Sequence, residues 1–226
     1  MENLKKINYS VDFGRRKNFY ITVTKGEVLV KAPLNATMAD VERVVAQKSD
    51  WIISNIQKTL ENMRPDKVYS DGNVFYILGE KCVLCEKITN HSTFCMDKVG
   101  SKLYVYIPRK FTCNDNSVEI EKCFQKWFSD FSKKEIMESF YRLQRLTRFK
   151  VNKVTIKKMT KSWGRCSLNG NISINRTIAE YDKKCIDYVI IHELCHTVYF
   201  NHSKEFWNLV GTFMPDYKIW REKIKG

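Results

Sequence analysis

Apolar and polar residues alternate with a period of two along the first part of the chain. Within a β region spanning 7–32, Tyr20-Ile21-Thr22-Val23-Thr24 and Glu27-Val28-Leu29-Val30-Lys31 read as two strands joined by a hairpin at Lys25-Gly26. Arg15-Arg16-Lys17 precedes them, and Pro33, which has no ladder donor, ends the second strand. The period then lengthens to that of a helix. Thr37 is placed to cap a helical stretch through Asp40, Val41, Val44, Val45 and Lys48. A second helical run carries Trp51, Ile52, Ile56 and Leu60 as far as Pro65, with Trp51 read as a core residue. Alternation returns at 74–78, 81–85 and 102–107, with turns at Asp71-Gly72 and Leu78-Gly79-Glu80.

Lys, Thr, Asn and Ser accumulate without periodicity near 108–117. A boundary placed there separates a β-rich N-terminal region with two helices, 1–112, from a C-terminal region, 113–226. Ser117 is the expected N-cap of a long amphipathic helix through Ile120, Phe124, Phe128, Ile136, Phe140, Leu143 and Leu146. Short strands at 154–157 and 171–175 lie either side of Ser162–Ser167. A strongly apolar helix is expected from Asp187 to Phe200. Another is capped by Ser203 and broken at Met214-Pro215, before a last apolar stripe of Tyr217, Ile219, Trp220 and Ile224. The pattern predicts an α+β protein.

Composition bounds the function classes. The chain has 226 residues, 43% hydrophobic and 28% charged, enough for an ample core. It has no run of about 18 apolar residues of the kind that spans a bilayer. Its first residues, Met1 to Lys6, lack the apolar core of a signal peptide. A cytoplasmic protein with no membrane partner is therefore expected, and its eight cysteines are expected to be reduced thiols. The net charge of +14 favours polyanionic partners. Between Lys133 and Arg165 there are eleven Lys or Arg, opposed only by Glu135 and Glu138. This 133–165 region reads either as a solvated basic helix face or as a nucleic-acid surface.

The chemistry concentrates in one segment, His192-Glu193-Leu194-Cys195-His196 followed by His202, which holds three of the four histidines. Residues four apart on a helix project from one face, so His192 and His196 can bind one ion. Glu193 leans aside, where it can reach a water activated by that ion rather than the ion itself. Three protein ligands with an open position characterise a catalytic zinc site. The expected cofactor is thus one catalytic Zn²⁺ held by His192, His196 and His202. Glu193 is the expected general base, taking a proton from water and passing it to the leaving amine. The second nitrogen of a ligand histidine needs an acceptor, for which Asp187, Glu205 and Asp216 are candidates.

These residues resemble the zincin metallopeptidases, and the stretch His192–Trp207 with Asn201-His202-Ser203 and Phe206-Trp207 resembles the YgjP-like metallopeptidase family. So do Trp163-Gly164-Arg165-Cys166-Ser167, the Ile172, Ile174 and Asn175 strand, Ile186-Asp187-Tyr188-Val189 and Pro215-Asp216-Tyr217. The resemblance implies a zincin-like metallopeptidase domain over 113–226, preceded by the β-rich N-terminal region, and a zinc-dependent peptidase acting on peptides or proteins. SprT-like and WLM proteases are similar around the ligand helix, and some act on DNA-bound proteins. A DNA-associated protease using the 133–165 region is therefore an alternative, as is a non-catalytic metal-bound binding module. Tyr199 stands where metzincins have glycine, so their turn to the third histidine is not carried over.

Trp163 and Arg165 stand either at the cleft mouth or over the sheet, and Asn175 lies on a strand, 171–175, that is either an exposed edge a peptide substrate would join or an ordinary internal strand. They are the candidate substrate-binding residues. Tyr217 is read as packing rather than as an oxyanion donor. Cys82, Cys85, His91 and Cys95 form a second candidate metal set, but residues three apart in a strand face opposite ways, so incidental cysteines are the favoured reading.

Overall fold

A computed structural model describes residues 7–24, 26–61, 67–112 and 114–225. They fall into two compact units, one either side of residues 62–66. In the first, β1 (Tyr9–Gly14), β2 (Tyr20–Thr24) and β3 (Glu27–Pro33) form a sheet ordered β1-β3-β2. β2 is antiparallel to β3, as the hairpin pattern predicts, and β1 is parallel to it. Alternation on β3 turns Val28, Val30 and Ala32 inward, against Val41 and Val45 of α1 (Met38–Gln47) and Ile52 of α2 (Ser49–Glu61). Thr37 caps α1 as expected. Its hydroxyl accepts the Asp40 N–H at 3.2 Å, and Asp40 accepts the Thr37 N–H at 3.0 Å. Trp51 departs from expectation: it is 49% exposed because its neighbour Ile52 takes the inward position. Lys25 of the hairpin and Pro65 lie outside the described residues.

The second unit begins with a four-stranded sheet of β4 (Val74–Ile77), β5 (Glu80–Thr89), β6 (Cys95–Val99) and β7 (Lys102–Pro108), ordered β4-β5-β7-β6. β6 was not expected, since Cys-Met-Asp-Lys-Val carries little alternation and holds its place by pairing with β7 at the sheet edge. On this sheet lies α3 (Ser117–Thr147), with Phe124 of the helix 4.8 Å from Phe75 of β4, centroid to centroid. The cap falls one residue before Ser117, at Asn116, and the Asp115 carboxylate accepts the Ser117 N–H at 3.0 Å.

A third sheet, ordered β8-β10-β9, comprises β8 (Lys153–Lys157), β9 (Gly164–Cys166) and β10 (Asn171–Asn175). Three helices follow: α4 (Lys183–Cys195), α5 (Lys204–Phe213) and α6 (Tyr217–Lys223). Two ion pairs tie α3 to α4, Arg142–Asp187 at 2.6 Å and Glu135–Lys183 at 2.8 Å.

A single apolar core runs from Phe75 and Leu103 through Phe124 to Ile186, Leu194 and Phe206. The strands between 74 and 108 therefore share their core with the C-terminal helices. The polar stretch near 108–117, where the 1–112 and 113–226 regions were divided, lies inside this second unit as the link from β7 to α3. The architecture is mixed α+β. Among the described residues no helix is long and apolar enough to cross a membrane, and the cysteines are free thiols.

The β4–β5 turn docks on the segment leading into α4. Leu78 and Gly79 both have positive φ, 53° and 82°, and their N–H groups donate to the Ala179 and Glu180 carbonyls at 2.8 and 3.2 Å. A Cβ on Gly79 would stand 3.0 Å from the backbone nitrogen of Asp182, the α4 cap. Gly79→Ala is expected to lower unfolding free energy by about 1–2 kcal/mol or more, from left-handed backbone strain plus the close contact. Urea denaturation measures this, and an unchanged midpoint would contradict it.

Candidate metal centre

α4 is buried on almost all sides, which explains its nearly continuous apolar sequence. Asp182 caps it, accepting the Lys184 N–H at 2.8 Å. The helix begins a turn before Asp187 and closes at Cys195 instead of running to Phe200. His196 is its C-cap residue, with φ −67° and ψ −15°, so the one-turn relation to His192 survives. A tight turn follows, with the Val198 and Tyr199 N–H groups donating to the Cys195 carbonyl at 3.0 Å each. The chain then reaches His202, and Ser203 caps α5 by accepting the Phe206 N–H at 3.4 Å.

This path brings the three histidines together. The Nε2 atom of His192 lies 3.1 Å from that of His196 and 3.0 Å from that of His202. Phe206 lies among the three rings, stacked on His196 with centroids 4.5 Å apart and edge-on to the other two, while Trp207 stacks on His202 at 5.5 Å. Burial, aided by the neighbouring histidines and Arg221, pushes the His192 imidazole down to about 3, so it is neutral near pH 7. His202 is shifted down for the same reasons, burial first.

Hydrogen bonds alone do not satisfy this cluster. His196 Nδ1–H donates to the Tyr199 carbonyl at 2.9 Å, which leaves Nε2 of the neutral ring as a bare lone pair. A proton on His192 Nε2 serves one neighbour and leaves the other facing it unanswered. A proton on His192 Nδ1 finds no partner among the described residues. One cation between the three Nε2 atoms satisfies all of them, and ligands at about 2.0–2.1 Å in a tetrahedron stand roughly 3.3 Å apart, close to the separations present. The residues therefore fit a divalent metal.

None of the three acidic candidates holds a histidine. Asp187 pairs with Arg142, Asp216 accepts from Trp220 Nε1 at 2.7 Å, and Glu205 is hydrogen-bonded by Ser203. The acceptor on His196 is instead a backbone carbonyl. Tyr217 packs on Trp207, rings parallel within 12°. No second cluster forms among the described residues from Cys82, Cys85, His91 and Cys95. Arg142 of the basic 133–165 region is engaged by Asp187, and the other basic residues of that region are exposed on α3, β8 and the adjoining loops.

Glu193 is 5% exposed, and burial pushes its carboxyl up to about 8, with Oε2 unpartnered. A nearby cation acts in the opposite direction and favours the carboxylate. The side chain borders a cavity of about 280 Å³ that also meets His192, Trp163, Gly164, Tyr188 and Arg221. Trp163 donates its indole N–H to the Ile224 carbonyl at 2.8 Å, which fixes this wall.

The two other proposed substrate residues are placed differently from Trp163. Arg165 is exposed on β9, opposite Ser173. Asn175 is buried with both side-chain polar atoms engaged. Its Nδ2 donates to the Met159 and Ser162 carbonyls at 2.9 and 3.2 Å, and its Oδ1 accepts the Met159 and Thr177 N–H groups. It braces the 158–163 segment behind Trp163. Of the two readings of 171–175 the internal one holds: β10 is the central strand, paired on both sides, and the edge next to the site belongs to β9.

Gly164 had no assigned role in the sequence. A Cβ there would lie 2.5 Å from Glu193 Oε1 and 2.6 Å from its Cγ. Only glycine lets the carboxylate rest against β9.

A family model described as YgjP-like, metallopeptidase domain, matches residues 17–226. No curated protein matches the chain. Among solved structures it is similar to the zymogen of the metallopeptidase abylysin from Pyrococcus abyssi, 22% identical over 39% of this chain and 90% of that one, with a TM-score of 0.36. It is also similar to the zymogen of jannalysin from Methanocaldococcus jannaschii, 22% identical over 41% of this chain and 90% of that one, with a TM-score of 0.32.

Gly164→Ala is expected to fold and keep the histidine cluster, since the flexible Glu193 side chain can swing away. If Glu193 acts as the base, that displacement lowers kcat by about 100-fold or more. Circular dichroism, metal content and kcat, compared on one preparation, check this; full turnover in the variant would contradict it.

Proposed function

The chain belongs to the YgjP-like family of metallopeptidases, and from that premise we propose a zinc-dependent peptidase with His192, His196 and His202 as ligands and Glu193 as general base. The observation that carries this reading is the convergence of three Nε2 atoms beside a buried, unpartnered carboxylate. Three imidazoles suit several divalent ions, and the family favours zinc among them. When bound, the ion supplies Lewis acidity, polarising the amide carbonyl and making water more acidic.

The chain's own residues do the rest. Glu193 takes a proton from water as the water oxygen bonds to the carbonyl carbon, and then delivers that proton to the nitrogen as the C–N bond breaks. Gly164 fixes where the carboxylate stands. The Tyr199 carbonyl and the Phe206 ring fix the azimuth of the imidazoles. The outer edge of β9 offers main-chain groups to a substrate laid alongside as an added strand, which favours extended chains and leaves side-chain preference to the adjoining cavity. Trp163 immediately precedes that strand and Arg165 lies on it.

Glu193→Gln keeps shape and removes the base, so the variant is expected to hold one equivalent of zinc while kcat falls by about 100-fold or more. His196→Ala and His202→Ala are expected to lose the metal. Product mapping on a denatured proteome, together with zinc per chain, reads both outcomes. Undiminished cleavage by Glu193→Gln would remove Glu193 from the reaction.

A further inference from the structure

The cavity beside the histidines has an apolar wall made by Trp163, Val189 and Ile224, and two cations stand in it, Lys225 and Arg221. Lys225 is paired with Glu222. Among the described residues Arg221 makes no ion pair, with Glu193 or with any other carboxylate. Arg221 is half-buried, with its guanidinium carbon 4.5 Å over the Trp207 ring, which orients it but does not neutralise it. A guanidinium at a cavity wall with no carboxylate beside it is open to an anionic ligand. Its planar fork matches a carboxylate with two parallel hydrogen bonds.

We propose that Arg221 is a specificity-determining residue that receives a carboxylate of the substrate in this cavity, so that peptides with a negative group flanking the scissile bond are preferred. The cavity, about 280 Å³, is on the scale of a side chain and not of a folded domain. The carboxylate has two sources, an Asp or Glu side chain or the free end of a peptide. The inference rests on the metallopeptidase reading, because the cavity is a substrate pocket only if Glu193 and the histidines are the reacting centre.

The test uses zinc-loaded Glu193→Gln protein and fluorescence anisotropy with short peptides that differ at one position, Glu, Gln or Lys, each with a free or amidated C-terminus. Wild-type cleavage of the same peptides is followed in parallel. The Glu or free-carboxylate peptides are expected to bind about 10-fold or more tightly than their neutral counterparts, as a charge-assisted pair in a partly dry site would give. A preference persisting in amidated peptides identifies the side chain, and one confined to free ends identifies the terminus. Added to Glu193→Gln, Arg221→Met is expected to bring the ratio to about one, and Arg221→Glu to turn it toward the Lys peptide. A purely structural part for Arg221 on Trp207 would weaken every peptide equally and leave the ratio unchanged. A ratio near one with Arg221 in place overturns the inference, and so does a ratio that Arg221→Met leaves intact. Cleavage without carboxylate preference would sink this inference and spare the peptidase reading. Carboxylate-selective binding without any cleavage would overturn both, since the cavity would then hold a ligand and not a substrate.

Discussion

Burial of polar groups on α4 is the constraint on which the rest of this structure depends. The helix is packed on almost every side, yet it carries His192 and Glu193 with polar atoms that no described protein group answers. Left alone, such groups are unfavourable by about 1–3 kcal/mol each, more when charged. The same low polarity keeps the imidazole neutral and therefore able to donate a lone pair, and it gives the carboxyl a strong affinity for a proton. Destabilisation without a ligand and readiness for one arise from a single arrangement.

Everything near α4 either points these groups or leaves room for them. Asp182 sets where the helix begins, and the turn after His196 lends the Tyr199 carbonyl as the acceptor that orients the imidazole. Ser203 fixes the start of α5, which carries Phe206 into the space among the three rings. On the opposite side β9 contributes an absence, the missing Cβ of Gly164, and Asn175 secures the segment that carries Trp163. The ion pairs from α3 hold the α4 start from behind. Rigid placement of a few groups by many ordinary contacts is what catalysis by positioning requires.

What could be read from the sequence was local. His192 and His196 announce themselves because helical spacing is a property of neighbouring residues, and Thr37, Ser203 and the 20–31 hairpin follow for the same reason. What depended on distant partners was hidden. β10 reads as a strand, but only pairing by both β8 and β9 makes it central, which moves the free edge to three residues, Gly164–Cys166, too short to show a pattern. Asn175 has the polarity of a binding residue and spends it on buried backbone. The acceptor for His196 is a main-chain atom, to which side-chain identity is blind. The unit division near 65 was obscured because the 108–117 link is polar, while the apolar strands before it pack on a helix that follows it. Arg221 lies far along the chain from the motif it stands beside, with no spacing rule to join them.

X-ray absorption at the zinc edge on purified, reduced, zinc-loaded protein tests the central claim most directly. The account predicts one zinc per chain surrounded by nitrogen and oxygen scatterers at about 2.0–2.1 Å, with an imidazole signature that His202→Ala diminishes. Sulfur scatterers at about 2.3 Å, or a spectrum indifferent to His202→Ala, would place the metal elsewhere in the chain and contradict it.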